Sequence, residues 1–262
     1  MTISIKTTQE INKIKISCKL ASEVLEMIEE FIVPNITTEE INQICHLYIT
    51  NKQKAQSACL GYYGYPKSIC ISINDVVCHG IPNKNQTLKI GDIVNIDVAI
   101  IKDEYYGDTS KMFIVQKTSI LGTRLCNVTL NSLYLSFTVI KPGVRLQLIG
   151  KTIQQYVEKN GFSVVKEYCG HGIGKNFHEE PQILHYDGYD QGVILQENMI
   201  FTIEPMVNAG SHEIRLMKDQ WTVKTKDRNL SAQYEHTILV TKYGCEILTK
   251  QHQENIPTIF IN

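Results

Sequence analysis

The chain contains 262 residues, of which 43% are apolar and 20% charged, with a formal net charge of -1, a balance typical of a globular protein with a packed core. Because binding to phosphate backbones needs a concentrated positive surface, this balance argues against a nucleic-acid partner. The N-terminus lacks the apolar run of a secretory signal, and no stretch approaches the roughly 18 apolar residues of a membrane span, so we expect a cytoplasmic protein without a membrane partner.

Two helices are predicted in the first part of the chain. Apolar residues at three- and four-residue steps cover residues 8–32, and Pro34 follows them. The same spacing continues over residues 41–48. Each helix begins with a capping box, in which a threonine and a glutamate three residues later satisfy free backbone amides: Thr7 with Glu10, and Thr37 with Glu40.

A second helix pair, over residues 119–140 and 147–160, resembles the first pair. Residues 31–36 align with residues 139–144 at a constant offset of 108 (139 minus 31). Both segments join the two helices of a pair, and each contains a proline at the same position: Pro34 and Pro142. A strand-rich stretch follows each pair. The chain is therefore predicted to be one domain, residues 1–262, built from two α+β halves: approximately 8–115 and 119–250.

Two neighbouring strands in the first half each carry one aspartate. Asp97 interrupts an apolar strand over residues 93–101, and Asp108 lies in a second strand over residues 107–115. If the hairpin turns about the 102–103 bond, Asp97 faces Asp108 directly, with Cβ atoms about 4.5–5.5 Å apart. Such carboxylates repel each other, which favours a pair of divalent cations between them. A solvated acid pair at a sheet edge is the alternative.

The second half contributes further candidate ligands. Glu204 and Glu235 flank apolar strands, and His171 lies among glycines that keep its imidazole accessible. Carboxylates combined with one imidazole suit hard or borderline divalent metal ions. His79 follows an apolar strand and His178 precedes an acidic pair. A histidine in such a position is more often a structural hydrogen-bond partner than a catalytic group.

Six segments together resemble the motif series of type I methionine aminopeptidases, in order and over nearly the whole chain. They are Asn95-Ile96-Asp97, Gly107-Asp108-Thr109-Ser110, Gly170-His171-Gly172-Ile173-Gly174, Phe177-His178-Glu179-Glu180-Pro181, Thr202-Ile203-Glu204-Pro205 and Ala232-Gln233-Tyr234-Glu235-His236-Thr237. One departure is Gln196-Glu197-Asn198, where relatives usually have Lys-Pro-Gly. We expect this departure to change a loop without loss of the chemistry.

The resemblance implies a pita-bread fold, in which two pseudo-symmetric α+β halves share a curved, mostly antiparallel sheet with helices packed outside. It also implies that two divalent metal ions are held by five ligands: Asp97, Asp108, His171, Glu204 and Glu235. In this pattern Asp108 and Glu235 bridge both ions. The metal stays open among cobalt, manganese, iron(II), zinc and nickel.

Catalytic and substrate-binding roles also follow from the resemblance. Glu204 would shuttle a proton from the attacking water, His178 would hydrogen-bond the substrate carbonyl, and His79 would contact the amide that is cleaved. The methionine pocket would consist of Cys59, Tyr62, Tyr65, Cys70, Phe177 and Trp221. A weaker correspondence places a monovalent cation at Asn74, Val76 and Ser231.

These assignments imply an enzyme that removes the initiator methionine from nascent proteins near the ribosome and prefers a small second residue. Nothing in the sequence requires a subunit partner, so we expect a monomer. One alternative is a prolidase or aminopeptidase P, which shares the five ligands but normally carries an additional N-terminal domain. Another is a metal-free binding protein on the same fold, which would be expected to have lost at least one ligand.

Overall fold

The structure, a computed structural model, describes residues 3–189 and 192–257. Within these ranges the helices are α1 (Thr8–Ile28), α2 (Thr38–Leu47), α3 (Ile120–Phe137) and α4 (Gln147–Lys159). The strands are β1 (Gln56–Ser57), β2 (Cys70–Ile73), β3 (Val76–Cys78), β4 (Ile93–Lys102), β5 (Tyr105–Ile114), β6 (Ser163–Val164), β7 (Gly170–Gly172), β8 (Glu179–Ile183), β9 (Ile200–Ile203), β10 (Met206–Asn208), β11 (Ile214–Leu216), β12 (Val223–Thr225), β13 (Ser231–Gln233), β14 (His236–Val240) and β15 (Cys245–Ile247). None of the helices in these ranges has the length and apolar character that a bilayer span requires.

Both predicted capping boxes are confirmed, whereas the first helix ends earlier than predicted. The hydroxyls of Thr7 and Thr37 each accept a hydrogen bond from the backbone amide three residues later, and Glu10 and Glu40 bond back to the cap amides. After Ile28 the chain tightens into a 3₁₀ turn. Because such a turn satisfies carbonyls at a helix end, the regular helix stops before the proline corner.

Every strand pairing in the described residues is antiparallel, and hydrogen bonding sorts the strands into four sheets. The first sheet contains the β4–β5 hairpin with β1 and β2, and the largest has the order β15-β14-β9-β7-β8. Two smaller sheets have the orders β13-β10-β6 and β11-β12-β3. A bridge between Ser110 and Glu235 joins the hairpin to the residue just before β14. The strands of the two halves therefore meet at the aspartate hairpin.

The predicted register of the β4–β5 hairpin is wrong by two residues. Asp97 pairs with Ser110, and Asp108 pairs with Ala99, so Asp97 and Asp108 are not directly opposite. The turn consists of Asp103 and Glu104, with φ of 49° and 69°. A two-residue turn with positive φ at both positions matches the twist of the strands, which places the turn one residue later than predicted.

The two halves repeat the same backbone corner, as the sequence alignment predicted. Asn35 and Gly143, which are 108 residues apart, have φ of 72° and 87°. The amide of Asn35 donates to the carbonyl of Leu88 at 2.8 Å, and that of Gly143 donates to the carbonyl of Leu195 at 2.9 Å. Equivalent hydrogen bonds at equivalent positions support the predicted pseudo-symmetry of the halves. That the whole chain is one domain stays a prediction.

The two largest apolar clusters of the described residues follow the two halves. One cluster lies between the first helix pair and the β4 sheet and includes Ile41 and Ile96. The other lies between α3, α4 and the strands of the second half, and it includes Ile149 and Phe201. A smaller cluster at the junction contains several predicted pocket residues. The core therefore forms on both sides of a junction that carries the candidate site.

We predict that Gly107→Ala destabilises the fold. A Cβ atom at Gly107 would lie 2.3 Å from the backbone nitrogen of Cys18 and 2.5 Å from the carbonyl carbon of Ser17, both in α1. Because backbone atoms cannot rotate away, we expect a loss of about 1–3 kcal/mol or more in the free energy of unfolding, measured by urea denaturation. As a control, Gly122→Ala meets the Thr118 side chain and should change stability by less than about 1 kcal/mol. Equal stability of the two variants would contradict a tight α1–β5 contact.

Candidate metal centre

A cavity of about 340 Å³ lies at the junction of the two halves. Its wall contains every residue predicted as a divalent-metal ligand, a catalytic group or part of the methionine pocket: Cys59, Tyr62, Tyr65, Cys70, His79, Asp97, Asp108, His171, Phe177, His178, Glu204, Trp221 and Glu235. The wall also includes residues that the sequence did not indicate, among them Cys78, Tyr168, Cys169 and Met206. The fold thus gathers into one cavity side chains that are far apart in the sequence.

The β4–β5 hairpin presents Asp97 and Asp108 on one face. Since Ala99 pairs with Asp108 and alternate residues share a face, Asp97 is the diagonal neighbour of Asp108. Burial, and then the charge of Asp108, raises the pKa of Asp97 well above its usual range. Burial also raises the pKa of Asp108 to about 7. The two aspartates therefore interact closely despite the corrected register.

Glu235 is tied to the hairpin through the backbone. Its amide donates to the carbonyl of Ser110 at 3.0 Å, and the hydroxyl of Thr109 donates to the carbonyl of Glu235 at 2.8 Å. From the next strand, the hydroxyl of Thr237 donates to the carbonyl of Asp108 at 2.7 Å. These reciprocal bonds fix the position of Glu235 relative to Asp108.

Three groups hold Glu204 at the end of β9. The Thr202 hydroxyl donates to Oε1 of Glu204 at 2.8 Å, and the Gln233 amide donates to Oε2 at 3.3 Å. The backbone amide of Glu204 donates to Nε2 of His185 at 3.1 Å. Sequence reasoning missed all three. Thr202 could have been found from its position two residues before a ligand on one strand, whereas nothing in the sequence points to His185.

The imidazole of His171 is oriented toward the carboxylates. Its Nδ1 lies 3.0 Å from the carbonyl oxygen of Gly172, which requires Nδ1 to carry the proton in the neutral ring. Nε2 is left as a free acceptor, 3.7 Å from Oδ2 of Asp108 and 3.7 Å from Oε1 of Glu204. Burial lowers the pKa of His171 to about 4, which favours the neutral, ligating form.

The residues of the cavity fit divalent cations. Oδ1 of Asp108 and Oε1 of Glu235 are buried without a hydrogen-bond partner. One ligand atom from each of Asp108, His171 and Glu235 lies within 4.8 Å of the others. Burial raises the pKa of Glu204 and Glu235 well above their usual range, so their charged forms are costly unless a cation compensates them. Oxygen donors with one imidazole nitrogen are the donor set expected for such cations.

The two further histidines lie beside this centre. His79 has φ of 55°, and its ring centroid lies 6.2 Å from that of Trp221. Desolvation lowers the pKa of His79 to about 4. The ring centroid of His178 lies 4.1 Å from that of His171, and Nδ1 of His178 lies 2.7 Å from the hydroxyl of Tyr62. Both rings line the same cavity as the carboxylates, and their predicted contacts with a substrate stay a prediction.

The predicted methionine pocket forms an aromatic wall next to the ligands. The rings of Tyr65 and Trp221 pack edge to face with centroids 5.1 Å apart, and those of Tyr62 and Phe177 with centroids 4.9 Å apart. The hydroxyl of Tyr65 donates to the carbonyl of Gly80 at 2.9 Å, which fixes its ring. Aromatic rings and thiols form a surface that suits an unbranched thioether chain.

The residues predicted for a monovalent cation are adjacent in space. The amide of Ser231 donates to the carbonyl of Asn74 at 2.8 Å, and Val76 follows two residues later in β3. The side-chain oxygen of Asn208, which pairs with Ser231, is buried without a hydrogen-bond partner. The cation at this position stays a prediction.

The unusual Gln196-Glu197-Asn198 segment lies outside the cavity wall and ends in a turn. Asn198 has φ of 70°, a conformation that asparagine tolerates better than most residues. Its amide donates to the carbonyl of Val240 at 2.9 Å, and its carbonyl accepts from Lys6 at 3.0 Å. Asparagine therefore performs the backbone role expected of glycine at this turn.

The sequence of this chain is similar to those of known metallopeptidases. The model of metallopeptidase family M24 matches residues 12–242. The methionine aminopeptidase of Buchnera aphidicola subsp. Acyrthosiphon pisum (strain APS) is 67% identical over 262 residues, which span 100% of this chain and 99% of that protein. The methionine aminopeptidase of Salmonella typhimurium (strain LT2) is 66% identical over 259 residues, 99% of this chain and 98% of that protein.

Solved structures show the same fold. The methionine aminopeptidase of Rickettsia prowazekii superposes with a TM-score of 0.92 and 50% identity, covering 95% of this chain and 100% of that one. The prolidase of Pyrococcus furiosus has a TM-score of 0.76 and 21% identity, covering 95% of this chain but only 66% of that one, and shows the fold alone. The pita-bread fold predicted from the sequence is confirmed.

We predict that Asp108→Asn stabilises the metal-free protein increasingly as the pH rises. The folded-state pKa of Asp108, about 7, exceeds the value of about 3.9 for an unfolded aspartate. Asp108 therefore contributes stability at low pH that is lost as the pH rises through about 7. Between about pH 4 and pH 7, the free energy of unfolding of the variant should rise relative to the parent by up to about 4 kcal/mol.

Urea denaturation in the presence of a chelator measures this difference. Asp103→Asn, in the exposed turn of the same hairpin, is the matched control for the removal of a carboxylate that lies outside the cavity. A pH-independent difference between Asp108→Asn and the parent would contradict the electrostatic description of the centre.

Proposed function

The chain belongs to metallopeptidase family M24, among its methionine aminopeptidases, and on this premise we propose how its cavity releases an N-terminal methionine. The family implies divalent metal ions as cofactors. We propose that two of them are held by the five predicted ligands, Asp97, Asp108, His171, Glu204 and Glu235. The unpartnered oxygens of Asp108 and Glu235, beside the free Nε2 of His171, are the observation that carries this proposal.

Three side chains would have separate roles in the hydrolysis: Glu204, His178 and His79. Bound divalent ions polarise a carbonyl and lower the pKa of water, which makes hydrolysis possible at neutral pH. Glu204 would take a proton from the attacking water and deliver it to the departing amine. His178 would donate a hydrogen bond to the substrate carbonyl, where negative charge develops, and His79 would contact the nitrogen of the amide that is cleaved.

Selectivity for methionine would come from the aromatic wall. The side chain would lie between Tyr65, Trp221 and the Tyr62–Phe177 pair, with the thiols of Cys59 and Cys70 at its end. An unbranched, polarisable chain fills such a slot better than a branched one. His79 lies beside Trp221 and would limit the room for the next residue, which supports a preference for a small second residue.

We further propose the setting in which this reaction occurs. Initiator methionine is present on nascent chains, so the enzyme would act in the cytoplasm near the ribosome, as a monomer. The ligand set accepts cobalt, manganese, iron(II), zinc or nickel, and affinity order alone does not select among them. A monovalent cation at Asn74, Val76 and Ser231 would stabilise the junction near β13.

The proposal is tested by methionine release from the peptides Met-Ala-Ser and Met-Lys-Ser. The chelated protein should be inactive, and manganese, cobalt or iron(II) should restore cleavage of the first peptide but not the second. Pro-containing peptides, the substrates of the proline-directed relatives, serve as the comparison and should not be cleaved. Folded protein that binds no metal and releases no methionine would instead support a binding protein on the same fold.

A second prediction concerns the turn that carries Trp221. Oδ1 of Asp219 accepts from the amides of Trp221 at 3.0 Å and Thr222 at 2.9 Å, and Oδ2 accepts from the Thr222 hydroxyl at 2.7 Å. Asp219→Ala should release Trp221 from the pocket and raise KM for Met-Ala-Ser about threefold or more, with kcat nearly unchanged.

The matched control for this prediction is Asp227→Ala. The carboxylate of Asp227 caps a neighbouring loop in the same manner, accepting from the amides of Ser211 at 2.8 Å and Asn229 at 3.0 Å. Asp227 does not line the cavity, so its variant should keep the parent KM. A loss of kcat instead of a rise in KM for Asp219→Ala would show that the turn does not act through the pocket.

A further inference from the structure

Tyr62 connects the methionine pocket to one of the candidate catalytic histidines. Its ring packs against Phe177 in the pocket wall, while its hydroxyl oxygen lies 2.7 Å from Nδ1 of His178. The rings of Tyr62 and His178 lie with centroids 5.2 Å apart and planes inclined by 31°. A hydroxyl 2.7 Å from a ring nitrogen is at hydrogen-bonding distance.

The His178 ring has few other constraints. Its neighbours are the rings of Phe177 and His171, with centroids 4.5 Å and 4.1 Å away, and both rings restrict its position. Among the hydrogen bonds of the described residues, the one that the His178 ring makes joins its Nδ1 to the Tyr62 hydroxyl. The direction of this bond is therefore tied to the tautomer of the neutral ring.

The two directions of this hydrogen bond have opposite chemical consequences. If the Tyr62 hydroxyl donates, Nδ1 of His178 is the acceptor, and the single ring proton must lie on Nε2. If Nδ1 donates, Nε2 has no proton and can only accept. A group that stabilises a developing oxyanion must donate a hydrogen bond to it. Only the first direction, which leaves the proton on Nε2, therefore allows His178 to stabilise the substrate carbonyl.

We propose that Tyr62 is a positioning residue that donates to Nδ1 of His178 and thereby keeps the proton on Nε2, aimed at the substrate carbonyl. This inference rests on the proposed function of His178. Because the same tyrosine ring forms the pocket wall, a methionine side chain in the pocket packs against the residue that orients the donor. Tyr62 thus has two roles: it contacts the methionine side chain, and it orients the group that stabilises the carbonyl.

The direct test is the tautomer of His178 in the zinc-loaded protein. With ¹⁵N-labelled histidine, two-bond correlations from the ring carbon protons distinguish a protonated from an unprotonated nitrogen, and the signals disappearing in His178→Gln identify the residue. We expect Nδ1 unprotonated and Nε2 protonated in the parent, and a mixture of both tautomers in Tyr62→Phe. A proton on Nδ1 in the parent, or an unchanged tautomer in Tyr62→Phe, would overturn the proposal.

Kinetics of the metal-loaded enzyme provide a second readout. Tyr62→Phe keeps the ring in the pocket wall and removes only the hydroxyl, so kcat for Met-Ala-Ser should fall about tenfold with KM changed less than about twofold. Tyr105→Phe is the matched control because it removes a tyrosine hydroxyl that contacts Glu10 outside the cavity. Its kcat should equal that of the parent.

The two readouts separate this inference from the proposed function. A rise in KM with unchanged kcat would make Tyr62 a pocket wall only and would overturn its positioning role. If the parent releases no methionine, the proposed function fails, while the tautomer measurement still decides whether Tyr62 sets the proton on His178.

Discussion

Mutual repulsion among Asp97, Asp108, Glu204 and Glu235 in one cavity is the constraint on which much of the surrounding structure depends. Burial raises the pKa of each carboxyl group, because water cannot fully solvate and screen its charge there. Cations bound between the carboxylates would compensate this repulsion, and they bind more tightly when the carboxylates are already held in place. The backbone bonds between the hairpin and Glu235, and the bonds of Thr202 and Gln233 to Glu204, provide that rigidity.

The same cavity combines this polar centre with an apolar wall, and the two parts are joined through shared residues. His79 adjoins Trp221, and His178 adjoins Phe177 in sequence and Tyr62 in space. Under the proposed function, a substrate whose side chain fills the wall would be placed with its carbonyl beside the histidines. Tyr62, which belongs to the wall and contacts His178, would then link recognition of the side chain to the chemistry.

Local sequence patterns predicted the parts of the fold that local interactions decide. The capping boxes at Thr7 and Thr37 could be predicted from the sequence, because each is formed by two residues three positions apart in the chain. The hairpin register was wrong because the turn residues Asp103 and Glu104 both adopt positive φ, a conformation that aspartate tolerates but glutamate rarely adopts. The first helix also ended early, since a 3₁₀ turn precedes the proline corner.

Long-range contacts explain which parts of the site could be found. Acidic residues embedded in apolar strands identified the candidate ligands, because a charge there needs compensation. The pocket residues looked like ordinary core and were indicated only by resemblance to a family. His185, which accepts the backbone amide of Glu204, left no signal at all, because its role depends on two segments that meet only after folding.

The position of the cavity at the junction has a consequence for how the protein matures. Asp97 and Asp108 come from the first half, whereas His171, Glu204 and Glu235 come from the second, so neither half carries a complete ligand set. Under the proposed function, cations that need ligands from both halves would bind only after the halves have docked, and their binding energy would then favour the docked state. Metal binding would therefore distinguish chains in which both halves have folded and docked from chains in which they have not.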